Sequence, residues 1–367
     1  MKQLTPKKPE APWLESYFYP SLVNAKAYAI EAPKVEYKLD QNESPWDWPQ
    51  NLKEKILAKV AEKEWNRYPE PMGEELQASL SKYVGVPADC LLTGPGSNYL
   101  ISLIFEGMTR KLSGKVVIAR PSFALFEMQC NYGGVPYETW DLDENFEYQT
   151  SRLPSLPEGS FVVFASPNNP TGSSLSQETL EKLLKENPKT MFLADEAYYE
   201  FNDEPYTHLL KDYSNLMILR TMSKTMGAAG IRLGYLMGSS DLIQQLKKLR
   251  LPFLLNHFSM EAAKIILTDS EMQDFVQKNV ENAVSERNRM WEILSAKGEA
   301  GGYRVFNSKA NFILMQWHKD EDCQAAYQKL VENNVLVRNI SKGPGLQGCL
   351  RVSVGSVEEN NALLSVF

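Results

Sequence analysis

Four short apolar runs punctuate the middle of the chain: KVVIA at 115–119, FVVFA at 161–165, MFLA at 191–194 and LMIL at 216–219. None alternates with polar residues, and unbroken runs of this length suit strands covered on both faces, as in a parallel sheet. Between the second and third runs the period changes. Ser176 stands where an N-cap would, Leu180, Leu183 and Leu184 recur at helical spacing, and Pro188 stops the pattern. Strand, helix and strand in that order make a βαβ unit. From about residue 270, Met272, Val276, Val280, Ala283 and Val284 keep a helical period, with Ser270 and Gln273 at capping-box spacing. Beyond that long helix, YRVF, NFILM, VLVR and LRVSV alternate with a helical stretch around Ala325 to Val331, the pattern of a small α+β unit. The pattern predicts an α/β protein with a mostly parallel central sheet flanked by helices over residues 41–265. A smaller C-terminal domain over 266–367 is expected to pack with an N-terminal arm, 1–40.

Length and composition narrow the picture. A chain of 367 residues fits one large domain with a smaller companion. No apolar run approaches the ~20 residues that cross a bilayer, and the opening MKQLTPKKPEAPWLESYF lacks the apolar core of an export signal, so a cytoplasmic protein without membrane contact is expected. Cys90, Cys130, Cys323 and Cys349 are scattered, as are His208, His257 and His318, which predicts free thiols and no metal site. A net charge of −7 argues against a nucleic-acid partner. The one basic cluster, Lys247, Lys248 and Arg250 in LKKLR, reads as the wet face of a helix.

The chemistry gathers where the apolar runs end. Pro121-Ser122 follows the first, Ser166 to Gly172 the second, Asp195-Glu196 the third and Thr221 to Lys224 the fourth. Ligands of open α/β sheets collect at the carboxyl ends of strands, so these tips should share one crevice. Asp195 there is costly to bury without a cation. SPNNPTG at 166–172 reads as a tight turn that would fix the Asn169 amide at a strand tip. Lys224 lies among small and apolar neighbours with Arg232 eight residues on, a setting that lowers an amine's proton affinity and favours Schiff-base chemistry. Gly227, Gly230 and Gly234 would let that loop fold back and bring Arg232 onto a phosphate. In LLTGPGSNYL, Gly94, Gly96, Ser97 and Asn98 form a Gly-rich turn ahead of an apolar segment, a phosphate cradle at a helix N-terminus. Phe123 offers an aromatic face just past another tip.

RYPEP, GSN, SPNNPTG, ADEAYYEF and SKTMGAAGIRLGY, in that order, resemble the fold-type I, pyridoxal-phosphate-dependent aminotransferases of class I/II. More narrowly, KLDQNESPW, SKANFILM and VLVRNISKGPGLQGCLRVSVG are similar to the histidinol-phosphate aminotransferase group. The resemblance implies that Lys224 attaches to pyridoxal 5'-phosphate and, once released, moves the substrate α-proton. It implies that Asp195 pairs with the pyridinium, that Asn169 and Tyr198 donate to the ring oxygen O3', and that Phe123 stacks on the ring. Ser97, Asn98, Thr221, Ser223 and Arg232 would hold the phosphate. Tyr68 would reach that phosphate in the partner subunit of a homodimer, while Arg351 would grip the α-carboxylate and Arg338 help bind substrate. Asn98-Tyr99 stands where many relatives carry Asp-Glu, and Phe123 where they often carry Tyr. Phe123 can stack but not donate a hydroxyl.

The implied reaction is transfer of the amino group of L-histidinol phosphate to 2-oxoglutarate, giving imidazole-acetol phosphate and L-glutamate, a step of histidine biosynthesis. An aromatic amino-acid aminotransferase is the nearest alternative. A decarboxylase of the threonine-phosphate type is an alternative of another class, because the same residues would serve it and the outcome depends on how substrate is turned over the ring.

Overall fold

The structure is a computed structural model, and it describes residues 12–24, 33–202 and 204–367. Much of the N-terminal arm, residues 1–11 and 25–32, lies outside the described residues. Twelve strands are described in chain order: β1 Tyr37–Leu39, β2 Leu91–Gly94, β3 Val116–Arg120, β4 Tyr137–Asp141, β5 Phe161–Ala165, β6 Met191–Asp195, β7 Leu216–Thr221, β8 Gly234–Met237, β9 Tyr303–Phe306, β10 Phe312–Trp317, β11 Val335–Asn339 and β12 Cys349–Ser353. They form two sheets, one of seven strands ordered β2-β8-β7-β6-β5-β3-β4 and one of five ordered β1-β11-β12-β10-β9.

The four apolar runs are β3, β5, β6 and β7, all parallel neighbours in the larger sheet. Their side chains feed two cores, one on each face: Val117, Val162 and Ile218 on one side, Val116, Val163 and Leu219 on the other. Burial on both faces is why these strands carry no polar alternation. Only β8 runs against its neighbours, pairing antiparallel with both β7 and β2. The helix Gln177–Glu186 joins β5 to β6, and the Ser176 hydroxyl caps it by accepting from the Thr179 N–H at 3.2 Å.

The helix Ser270–Gly301 is 32 residues long and ties the two layers together. Met272 near its start belongs to the large core, whereas Met290 and Leu294 belong to the core of the small sheet. Its cap differs from the expected Ser270/Gln273 box. Asp269 is the N-cap and accepts from the Met272 N–H at 3.1 Å, because the helix begins one residue earlier than that box requires.

Two further expectations need correction. Tyr37–Leu39 does join the small sheet, parallel to β11, but Pro20–Val23 packs on the helix Leu125–Gly133 of the large layer, with Ser21 Oγ donating to the Tyr132 carbonyl at 3.2 Å. The arm therefore does not pack on the small layer alone. Arg250 is buried rather than wet, because its guanidinium donates to the carbonyls of Thr93 (2.9 Å) and Pro71 (3.1 Å). Among the described residues no helix is long and apolar enough to cross a membrane.

Candidate active site

The carboxyl ends of β3, β5, β6 and β7 open into one cleft of about 1230 Å³. Ser97, Asn98, Phe123, Asn169, Asp195, Tyr198, Thr221, Ser223, Lys224, Arg232, Arg338 and Arg351 all line it. Tyr68 does not: it lies on the outer surface, 80% exposed, with its ring stacked on Phe253 at 4.7 Å.

Asp195 ends β6 and is buried. One carboxylate oxygen accepts from the Ala197 N–H at 3.0 Å. Burial pushes its pKa up to about 7, and that hydrogen bond and the nearby Lys224 only partly oppose the rise. Lys224 shifts the other way. Its pKa is brought down to about 8, first by burial and then by the positive charges of Arg351 and Arg232, with Glu43 and Asp195 opposing. Its Nζ donates to the Gln41 carbonyl at 2.8 Å. An amine so placed loses its proton more readily than a surface lysine, which is what a nucleophile or a base at neutral pH needs.

At the other end of the cleft, two glycines let separate elements meet. The helix Ser97–Met108 begins immediately after Gly96, whose φ is +88°. A Cβ on Gly96 would stand 2.6 Å from an Arg232 guanidinium nitrogen, and one on Gly234 only 2.5 Å from the Ser97 backbone nitrogen. Ser97 has no side-chain cap ahead of it, so the first N–H groups of that helix are left for a ligand. Arg232 sits in the left-handed region (φ 57°) and donates to the Ala229 carbonyl at 3.0 Å and to Ser223 Oγ at 3.4 Å. Thr221 Oγ1 in turn donates to Ser223 Oγ at 3.0 Å. Free helix N–H groups, two hydroxyls and a guanidinium make a dianion cradle.

The turn after β5 presents Asn169. Buried Asn168 ties that turn down, donating to the Pro121 carbonyl (2.9 Å) and to Thr171 Oγ1 (2.8 Å) while accepting from Ser122 Oγ (2.7 Å). The same turn docks on the small layer, where the Lys309 N–H donates to the Gly172 carbonyl at 2.7 Å. Across the cleft Arg351, on β12, donates from Nη1 to Asn169 Oδ1 at 2.6 Å and from Nη2 to the Asp40 carbonyl at 2.7 Å. Arg338 lies beside it, because β11 and β12 pair Arg338 opposite Arg351.

Beneath the tips, Arg220 and Glu196 form a buried ion pair at 2.6 Å. Glu196 also accepts from the Tyr206 N–H at 2.7 Å, and the guanidinium lies 3.5 Å over the Tyr199 ring. Each partner is a chain neighbour of a cleft residue, Glu196 of Asp195 and Arg220 of Thr221. The pair therefore locks the ends of β6 and β7 together.

KLDQNESPW entered the sequence reading only as a mark of resemblance, and the role of its Asp40-Gln41-Asn42 strap in the cleft was missed. Its three successive carbonyls accept from Arg351, Lys224 and Asn311, and the Asn42 side chain donates to the Tyr198 hydroxyl at 3.0 Å. Carbonyl acceptors leave no mark in residue types.

A Schiff-base-competent lysine, a buried carboxylate and a dianion cradle in one cleft define a cofactor-dependent enzyme of amino-group chemistry. Residues 35–367 match the model of the family "Aminotransferase class I and II", and the chain belongs to that family of pyridoxal-phosphate-dependent enzymes. Within it, the chain is similar to a histidinol-phosphate aminotransferase of Aquifex aeolicus, 35% identical over 345 residues, 93% of this chain and 94% of that one. The fold is shared with the histidinol-phosphate aminotransferase of Sinorhizobium meliloti solved in complex with pyridoxal-5'-phosphate (TM-score 0.81, 22% identity, covering 95% of this chain and 96% of that one). It is shared as well with the L-threonine-O-3-phosphate decarboxylase of Porphyromonas gingivalis (TM-score 0.77, 22% identity, covering 90% and 98%). At that identity the two structures speak to fold alone.

Proposed function

We propose that this aminotransferase moves the amino group of L-histidinol phosphate to 2-oxoglutarate, yielding imidazole-acetol phosphate and L-glutamate, with pyridoxal 5'-phosphate bound in the cleft of a homodimer. The observation that carries the reading is the convergence of Lys224, Asp195 and the Gly96–Arg232 cradle in one cleft of a chain 35% identical to a histidinol-phosphate aminotransferase. The residues fit the cofactor: Gly96 and Gly234 let the Arg232 guanidinium and the Ser97 backbone close in where a Cβ would collide, and the donor set suits a phosphate dianion at one end and a ring cation at the other.

When bound, pyridoxal phosphate supplies an aldehyde and an electron-withdrawing protonated ring. Lys224 Nζ, buried and with its pKa near 8, would be the amine that holds this group and the base that carries the substrate Cα proton. Asp195, whose anion is made costly by burial, would gain a cation to pair with at the ring nitrogen. Asn169 and Tyr198 would donate to the ring oxygen, and Phe123 would supply an aromatic face to the ring. Ser97, Asn98, Thr221, Ser223 and Arg232 hold the phosphate. Arg351 and Arg338 form a cationic wall that suits either the carboxylates of glutamate or the phosphate of histidinol phosphate, since both anions can present two oxygens to the planar guanidinium fork. The outward face that bears Tyr68, Trp65 (75% exposed) and Leu251 (65% exposed) supports a partner subunit that receives Tyr68.

An amino-donor panel with purified protein and 2-oxoglutarate tests the reading. Histidinol phosphate should give the highest kcat/KM, well above phenylalanine, and turnover should stop without the oxo acid. Preference for phenylalanine would move the assignment to an aromatic aminotransferase, and oxo-acid-independent CO2 release from threonine phosphate would move it to a lyase.

A further inference from the structure

Tyr198 is held by a chain of hydrogen bonds whose proton directions can be followed one by one. Asn42 is buried, with its backbone in the left-handed region at φ 54°. Its N–H donates to Ser353 Oγ at 2.8 Å, and the Ser353 hydroxyl donates to Asn42 Oδ1, also at 2.8 Å. The Asn42 carbonyl accepts from Asn311 Nδ2 at 3.2 Å, and Asn42 Nδ2 donates to the Tyr198 hydroxyl oxygen at 3.0 Å.

Ser353 decides which way the amide points. Its hydroxyl carries a single proton, and its oxygen already accepts the Asn42 N–H. With the amide turned over, Nδ2 would face that same oxygen, and the hydroxyl proton would lose the only acceptor it has among the described residues. Both groups are buried, so an orphaned proton there costs the full desolvation of the group. The amide oxygen therefore stays on Ser353 and the amide nitrogen on Tyr198.

An N–H donor cannot accept the phenol's proton. The Tyr198 hydroxyl makes no other hydrogen bond among the described residues, its ring meets Phe312 in a T-shaped contact with centroids 5.2 Å apart, and its open side is the cleft. Burial also keeps the phenol protonated at neutral pH, by raising its pKa. We propose that Asn42, oriented by Ser353, is a positioning residue that makes the Tyr198 hydroxyl a one-way donor into the cleft, aimed at an anionic oxygen of the bound cofactor. The inference rests on the reading of Tyr198 given above and deepens it by naming what sets its proton. Such a donor stabilises the ring oxygen as an anion, which lowers the pH at which the Lys224-linked cofactor gives up its shared proton.

The test uses full-length protein loaded with pyridoxal phosphate and reads the pH midpoint of the cofactor's visible absorbance change rather than turnover. Variants Asn42→Asp, Tyr198→Phe and the double variant are compared. Aspartate keeps the size of the residue, tolerates the left-handed backbone and accepts from both Ser353 and Tyr198, so it draws the phenol's proton away from the cleft. Each single variant should raise the midpoint by about one pH unit or more, the size of a lost charge-assisted hydrogen bond. In the double variant Tyr198→Phe should add nothing to the shift of Asn42→Asp, because the donor into the cleft is already lost there. Simple addition of the two shifts, with Tyr198→Phe itself effective, would overturn the role of Asn42. A midpoint unmoved by Tyr198→Phe would remove Tyr198 from the ring oxygen and the proposal with it. Should Asn42→Asp fail to load cofactor, Ser353→Ala is the neutral substitute. It releases the amide to turn its oxygen to Tyr198, so the midpoint should rise in the Tyr198 background and not in the Tyr198→Phe background, and no rise overturns the proposal.

Discussion

Replacing Asp195 by asparagine should make the cofactor-free protein more stable while weakening its hold on pyridoxal phosphate. Burial holds the Asp195 pKa near 7 against an ordinary 3.8. Between those values the folded protein keeps a proton that the unfolded chain has lost. Stability therefore falls as pH rises through that window, and the full penalty stands above pH 7. At about 1.4 kcal/mol per pH unit, the penalty is about 4 kcal/mol at pH 8 and about 2 kcal/mol at pH 5. Asparagine can still accept from the Ala197 N–H and has no charge to bury. With an unfolding entropy of about 2.1 cal/mol/K per residue, the variant's Tm should exceed the parent's by about 5 °C at pH 8 and about 2 °C at pH 5. Adding pyridoxal phosphate should reverse the order, because the parent then acquires a ring cation opposite its carboxylate and gains more Tm from binding. Thermal melts of both proteins at the two pH values, with and without cofactor, measure all of this. An apo variant no more stable than the parent at pH 8, or equally favoured at both pH values, would refute the burial argument. Equal Tm gains on cofactor addition would refute the pairing with the ring nitrogen.

Other substitutions probe the remaining parts of the site. Gly96→Ala places a methyl 2.6 Å from the Arg232 guanidinium at a φ of +88°, so pyridoxal phosphate should dissociate at least about tenfold more easily. Retention on dialysis reads this, and unchanged retention would dismiss the cradle. Lys224→Met removes an amine whose folded pKa lies near 8 against 10.5, so the parent gains stability as pH rises from 8 to 10.5 and the variant does not. Melts at pH 7 and pH 10 should show the variant's advantage shrinking at the higher pH, and borohydride should fix no cofactor on it. Arg220→Met strands Glu196 as a buried, unpaired anion and should cost about 3–5 kcal/mol, with much of the loss recovered when Glu196→Leu is added. Arg351→Ala should raise the KM for glutamate by about tenfold or more, since a charge-assisted bidentate partner is lost. An unchanged KM would take Arg351 off the carboxylate.

What could be read from the sequence, and what could not, divides along a physical line. β3, β5, β6 and β7 were legible because burial on both faces writes an unbroken apolar run. β4, Tyr137–Asp141, closes the edge of the sheet and is only half buried, and β8 opens on a glycine that must stay bare for the Ser97 backbone, so neither carries that signature. Arg338 and Arg351, which line the cleft, were reached only through the family resemblance, whereas Lys224, Asp195 and Arg232 of the same cleft were legible because their chemistry is in the side chain. The strap Asp40-Gln41-Asn42 was not, since it holds Lys224 and Arg351 through carbonyls that every residue possesses. Its position comes from the register of Tyr37–Leu39 against Val335–Val337, a pairing nearly 300 residues apart in the chain that no local pattern encodes. Arg250 misled for the related reason that a charged side chain reads as wet unless one knows that Thr93 and Pro71 bring it carbonyls to satisfy. The same logic makes Asn42 informative: where Asp40 and Gln41 reach Arg351 and Lys224 through carbonyls, Asn42 reaches Tyr198 through its side chain. A substitution there can therefore alter the site's proton directions while the strap's carbonyls stay in place.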